Sequence, residues 1–226
     1  MNKIRSPSQL SDLLDEEIAW RKKELTTVNF MISSRRKHER KVLLRSAICA
    51  LYAHWEGFVK ATATAYVCFV ATQGLKYSEL TPNFIALGLR SRISSAGLAK
   101  KLAPYAELTT YLLFGLAAKA NIPWNEAIDT QSNLSSEVLH DILCALGLDG
   151  TSYLTKKALI DESLVRNRHQ VAHGQHLDIE QSDYELVYGE VIRLMEQFRT
   201  DVENAASLQS YRNSPIAAAP QSRSAP

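Results

Sequence analysis

Apolar side chains recur at helical spacing along most of the chain. From Ser8 to about Ser33, Leu10, Leu14, Ile18, Leu25 and Val28 fall near a 3.6-residue period, with acidic residues early and basic residues later, the order that complements a helix dipole. A long first helix is predicted there. A second pattern runs from about Lys37 to Thr72 through Leu44, Ile48, Leu51, Tyr52, Trp55, Phe58, Val59, Tyr66 and Phe69, with no proline. Gly57 is its only interior breaker, so one very long helix is predicted, with the acidic Glu56 in its middle between Trp55 and Phe58.

Pro82, Pro104 and Pro123 cut the stretch 81–129 into short pieces, read as an inserted helical subregion. "NLSSEVLHDILCALGLDG" reads as a capped helix, with Asn133 or a nearby serine at its start and Gly147 or Gly150 at its end. The next helix begins near Asp161 and stops at Gly174, in the position past a helix end that favours glycine. Ser182 and Glu185 then form the S-x-x-E of a capping box before an apolar stripe of Val187, Val191, Leu194, Phe198, Val202 and Ala205, which predicts a last helix to about Leu208. From 211 onward the chain has little apolar bulk and is expected to be a disordered tail. Strand patterns are essentially absent. The fold class is all-α, a bundle of long helices over 1–210 with the 81–129 subregion inserted and 211–226 as the tail.

Charge narrows the choice of partner. With 26 Lys and Arg against 24 Asp and Glu the formal charge is only +2, which excludes a global polyanion-binding surface. A nucleic-acid site must be a local patch, such as Lys156, Lys157, Arg166 and Arg168, with strongly salt-dependent pull. The N-terminal stretch lacks the apolar core of a signal peptide and no apolar run reaches membrane-spanning length, so a cytoplasmic protein with no membrane partner is expected. Cys49, Cys68 and Cys144 are widely spaced among apolar residues and read as small buried hydrophobes.

The densest chemistry lies in "LVRNRHQVAHG", residues 164–174. A helical advance of about 100° per residue makes His169 and His173 neighbours and puts Arg166 about 20° from His173, with Arg168 about 140° away. Three readings compete: a solvated polar helix end, a metal site, and a catalytic pair. His169, His173 and His176 have zinc-like spacing, but the glutamate of an H-E-x-x-H site is missing and two arginines would repel a divalent cation. Imidazole moves protons near neutral pH, and guanidinium holds phosphate oxygens through paired donors. The combination suits RNA phosphodiester cleavage, where the ribose 2′-OH is the nucleophile and neither metal nor cofactor is needed.

"RHQVAHG" resembles the R-x4-6-H signature of the HEPN superfamily, with Arg168-x4-His173 as one registration and Arg166-x6-His173 as another. "WRKKEL" at Trp20, "LYAHWEGFVK" at Leu51 and "IDTQSNLSSEVL" at Ile128 extend the resemblance to MAE-type HEPN proteins over about 10–208. It implies a helical bundle that dimerises with the two motif helices facing across a composite site. It also implies a metal-independent, cofactor-free endoribonuclease in a toxin or phage-defence setting, with RNA as substrate and an antitoxin or defence-system protein as a further partner. On this sequence the resemblance makes His173 the general acid or base and Arg168 the transition-state stabiliser. His169 stands where the family often has Asn, Asp or His after the motif arginine, and Glu56 would orient Arg168 or His173. Arg166-Asn167 places the usual "RN" pair two residues early, so Arg166 and Asn167 are alternative phosphate or RNA contacts. The alternative implied function is a non-catalytic HEPN module that binds RNA, nucleotide or a partner protein. Trp20 and Trp55 are expected in packing, His38, His54 and His140 as surface or satisfied helix residues, and His176 has no assigned role.

Overall fold

The computed structural model describes residues 3–213. Among these, eight α-helices follow one another: α1 Pro7–Ser33, α2 Lys37–Thr72, α3 Pro82–Gly97, α4 Ala103–Phe114, α5 Ser136–Leu146, α6 Thr151–Leu154, α7 Asn167–Ala172 and α8 Gln181–Ser207. A π-helical segment, Leu159–Arg166, leads directly into α7. Two isolated bridges, Lys76 with Lys119 and Leu80 with Arg212, are the only extended pairings among the described residues. The all-α class follows.

The helix ends obey local chemistry. Ser6 accepts from the Gln9 N–H at 3.2 Å and Pro7 opens α1, where a missing N–H costs nothing. Pro82 and Pro104 likewise sit in the first turns of α3 and α4 within the 81–129 stretch. For α5 the cap is Ser135, which accepts from the Val138 N–H at 3.3 Å, and the stop is Gly147 at φ 69°. The predicted Ser182–Glu185 box is not used. α8 starts two residues earlier, at Gln181, so Ser182 already lies inside the first turn, and the Gln181 side chain donates to the Glu185 carboxylate at 2.7 Å.

α1, α2 and α8 pack on one another and carry most of the core. Leu10, Leu14 and Leu25 of α1, Trp55, Phe58 and Val59 of α2, and Val191, Met195, Phe198 and Val202 of α8 are fully buried. Each large apolar side chain withdrawn from water contributes roughly 1.5–3 kcal/mol, so a helix as long as α2 is held by packing rather than by propensity. Trp55 lies in this core, whereas Trp20 is half exposed, its ring 4.3 Å from the Arg21 guanidinium. His54 is buried rather than on the surface, with Glu24 at 3.7 Å.

Residues 211–213, at the start of the expected tail, are tied to the bundle. Tyr211 is buried edge-on against Phe69, its carbonyl accepts the Thr81 N–H at 3.0 Å, and the Asn213 N–H donates to the Glu79 carbonyl at 2.9 Å. One aromatic ring with a prepared partner outweighs the polar composition around it. Residues 214–226 lie outside the described residues. Of the cysteines, Cys68 is buried and Cys49 half-buried, but Cys144 is exposed on the outer face of α5, 3.6 Å from His140 one turn earlier. No helix among the described residues is long and apolar enough to cross a membrane.

Candidate functional site

The π-helical segment and α7 pack along α2, which brings the 164–174 motif to the middle of the longest helix. Ile160 and Leu164 anchor the π segment in the core. π turns inside helices recur at functional sites. Helical arithmetic groups Arg166 with His169 and His173, and the structure departs from it. Arg166 closes the π segment, and its guanidinium turns back to Glu162 at 2.8 Å as an exposed i,i+4 pair rather than towards the histidines. Asn167 donates to the Ser163 carbonyl at 3.0 Å, which occupies its amide within the same helix.

Arg168 is the arginine that meets α2. Its guanidinium carbon lies 4.4 Å from the centre of the Tyr52 ring, within cation–π range. Its Nη2 donates to the Ser132 carbonyl at 2.8 Å. Tyr52 is 2% exposed, and its hydroxyl accepts the buried Leu134 N–H at 2.7 Å. Gln131 and Ser132 both hold φ near +53°, a left-handed conformation that costs a non-glycine residue about 1–2 kcal/mol. The strained loop between Asp129 and Leu134 is therefore held by the same tyrosine that carries the arginine. Burial pushes the Tyr52 phenol above its ordinary range; Arg168 and the Leu134 N–H oppose this, and the facing Glu56 carboxylate reinforces it. Among the described residues no ion pair within 4.0 Å involves Glu56, and its carboxylate acts on the Tyr52 phenol only as a lesser influence.

The two histidines lie at the open end. Their ring centroids are 4.2 Å apart with planes tilted by 54°, and both are exposed. α7 ends through the His173 N–H on the His169 carbonyl at 3.0 Å and the Gln175 N–H on the Gln170 carbonyl at 2.9 Å, with Gly174 at φ 69°. A Cβ at Gly174 would meet nothing within 4 Å, so the edge beside His173 is unobstructed. Among the described residues no three His, Cys, Asp or Glu side chains gather as a metal cage.

A family model described as RiboL-PSP-HEPN matches residues 16–204. The chain belongs to the RiboL-PSP-HEPN family. No curated protein and no solved structure gives a significant match. The match bears out the resemblance to the HEPN superfamily, while MAE is not the branch for which the matching model is named. Within this HEPN domain, Arg168 and His169 lie on α7 and His173 caps its C-terminal end, while Arg166 and Asn167 are turned to partners one turn earlier in the chain.

Sequence reasoning missed three contributors. Tyr52 was readable only as an apolar position, although a buried tyrosine needs a partner for its hydroxyl. Ser132 contributes a carbonyl, which no side-chain pattern announces. Arg45 reaches the Gln175 carbonyl at 2.8 Å, and with Arg168 it draws down the thiol pKa of Cys49 against burial, which dominates and raises it.

Proposed function

We propose that this protein is a metal-independent endoribonuclease. Membership of a HEPN family supports an RNA-related, nuclease-type role. The observation that carries the finer reading is the joint placement of a stacked guanidinium and a close imidazole pair on α7, at an edge that glycine leaves open. In this reading one imidazole accepts the proton of the ribose 2′-OH as it attacks phosphorus. The other protonates the leaving 5′ oxygen, giving a 2′,3′-cyclic phosphate and a 5′-OH. His173, beside the open edge, contacts the reacting oxygens. His169 is its partner in proton transfer or its orienting neighbour. Arg168 stabilises the charge gathering on the non-bridging oxygens. Glu56 acts on Arg168 through the Tyr52 hydroxyl. Two copies facing each other through their α7 ends would complete a composite site, and the toxin or phage-defence setting belongs to the same reading.

The test is cleavage of single-stranded RNA in EDTA by the purified protein and by Arg166→Ala, Arg168→Ala and His173→Ala. Product must be absent with His173→Ala and reduced about 10²-fold or more with Arg168→Ala, both still folded by circular dichroism, and retained with Arg166→Ala. Undiminished cleavage by folded His173→Ala removes the proposal. A second reading, a non-catalytic module binding RNA, nucleotide or a partner protein, has one observation in its favour: Arg168 is already engaged by the Ser132 carbonyl. Saturable binding without product selects it.

A further inference from the structure

The densest run of cations lies outside the motif. Between Arg35 and Arg45, six of eleven residues are Lys or Arg and Glu39 is the single acid, in a chain whose total is only +2. The rest of the molecule is therefore net negative. Arg35, Arg36, Lys37, His38 and Lys41 are exposed around the α1–α2 turn and the first turns of α2. At 100° per residue, His38, Lys41, Arg45, Cys49, Tyr52 and Glu56 lie within about 80° on one face of α2. The face that presents Tyr52 and Glu56 to Arg168 thus continues as a basic strip.

The chain after Arg168 retraces this face. Arg168 lies on Tyr52, the Gln175 carbonyl on Arg45 at 2.8 Å and Asp178 on Lys41 at 2.9 Å, after which Gln181 leaves the face to meet Arg40 at 2.6 Å. His173 falls between the first two contacts, so the strip starts beside the candidate active site. From Tyr52 to Lys37 the helix rises about 22 Å, the length of several phosphates in a stacked strand at about 3.4 Å per nucleotide.

We propose that this strip is the track along which an RNA backbone leaves the His173 site, with Arg35, Arg36, Lys37 and Lys41 contacting phosphates. The direction of the track rests on the ribonuclease reading; the binding does not require cleavage. The acids along it are Glu39, which accepts the Arg36 N–H, and Asp178 and Glu180, which face Lys41. Lys41 and Asp178 are each about half exposed, and exposed pairs contribute little, so a phosphate displaces the Asp178 carboxylate readily. Exposed Phe30, Met31 and Val42 near the turn would also suit an anionic bilayer. Continuity with Arg168 and His173 favours RNA, with Phe30 as a surface on which a base stacks.

The experiment measures equilibrium binding of a fluorescein-labelled 2′-O-methyl oligouridylate, which offers no 2′-OH to cleave, across a salt series. Each single-strand phosphate contact contributes about 0.7 to the slope of log affinity against log salt. The combined Arg35→Gln, Arg36→Gln, Lys37→Gln and Lys41→Gln variant should lose roughly 2–3 units of slope and bind at least tenfold more weakly. Asp178→Asn should bind more tightly with a steeper slope, an effect that a merely structural role would not produce. Lys100→Gln with Lys101→Gln, in the α3–α4 connection, should match the unmodified protein. An unchanged slope in the fourfold variant, or no oligonucleotide binding by the parent protein, overturns the proposal. So does tight binding to phosphatidylserine vesicles that the fourfold variant loses while its oligonucleotide binding persists. Loss of binding in the fourfold variant, in a protein that cuts no RNA, upholds the track and removes the ribonuclease reading.

Discussion

Replacing Tyr52 by phenylalanine removes one oxygen and leaves the ring, and so separates the two tasks of this side chain. The lost oxygen accepts the Leu134 N–H at 2.7 Å between residues that are 2% and 0% exposed, so no water is on hand to replace it. Leaving a buried donor unpaired costs about 1–3 kcal/mol. The loop it holds contains two non-glycine residues at φ near +53°, so the chain relaxes away once the bond is gone. The Ser132 carbonyl leaves Arg168 with it, while the ring still carries the guanidinium.

Two measurements follow. Urea unfolding of Tyr52→Phe should show a lower midpoint with unchanged slope. Hydrogen exchange at the Leu134 amide should accelerate roughly five- to 150-fold, at tenfold per 1.4 kcal/mol. Tyr52→Leu additionally removes the platform, a cation–π contact worth about 0.5–2 kcal/mol. Arg168-dependent cleavage should therefore fall further in Tyr52→Leu than in Tyr52→Phe. A Tyr52→Phe protein with parental stability and a still-protected Leu134 amide would refute the reasoning, because the loop would then have another support.

Arg166→Ala should cost no more than about 0.5 kcal/mol, the scale of an exposed i,i+4 pair, whereas Arg168→Ala should lower cleavage by about 10²-fold or more, both read from initial rates and thermal melts. In Gly88→Ala the new Cβ would meet Tyr77 Cε1 at 2.6 Å, in a ring that is itself buried and hydrogen-bonded to the Asn121 carbonyl, so destabilisation of about 1–3 kcal/mol is expected in urea titrations. His54 is held below its ordinary pKa of about 6.5 chiefly by burial, with Arg21 in the same sense and Glu24 opposed. The unfolded chain therefore takes up a proton first, and stability falls as pH drops from about 6.5 towards the lowered value; His54→Gln should flatten this part of the stability profile.

The long elements were legible because their signal is redundant. Lys37–Thr72 carries so many apolar positions in one period, with no proline, that both ends fall where the pattern stops. Pro7 and Ser6, Pro82, Pro104 and Gly147 each mark an end by a single steric or hydrogen-bonding fact. Where two local signals compete, the sequence alone does not choose. Glu185 looks like the partner of Ser182, yet Gln181 reaches it from the same helix face. Cys144 has apolar neighbours in sequence but lies on the outward side of α5.

The site was legible in residue type and not in geometry. Arg168 and Arg166 differ by two positions, and a uniform helix would put Arg166, not Arg168, beside His173. Two contacts outside the motif set them apart: Glu162 stands one turn before Arg166 and pairs with it, and Tyr52 on α2 offers a ring to Arg168. Neither can be inferred from spacing within 164–174, because Glu162 stands before that stretch and Tyr52 lies on a helix more than one hundred residues away. The family match names a HEPN domain over residues 16–204, and the packing of α7 on α2 brings Arg168 rather than Arg166 onto the Tyr52 ring. The parallel substitution of the two arginines is thus a test of tertiary packing as much as of chemistry. Equal loss in both variants would mean that Arg166 leaves Glu162 when substrate binds.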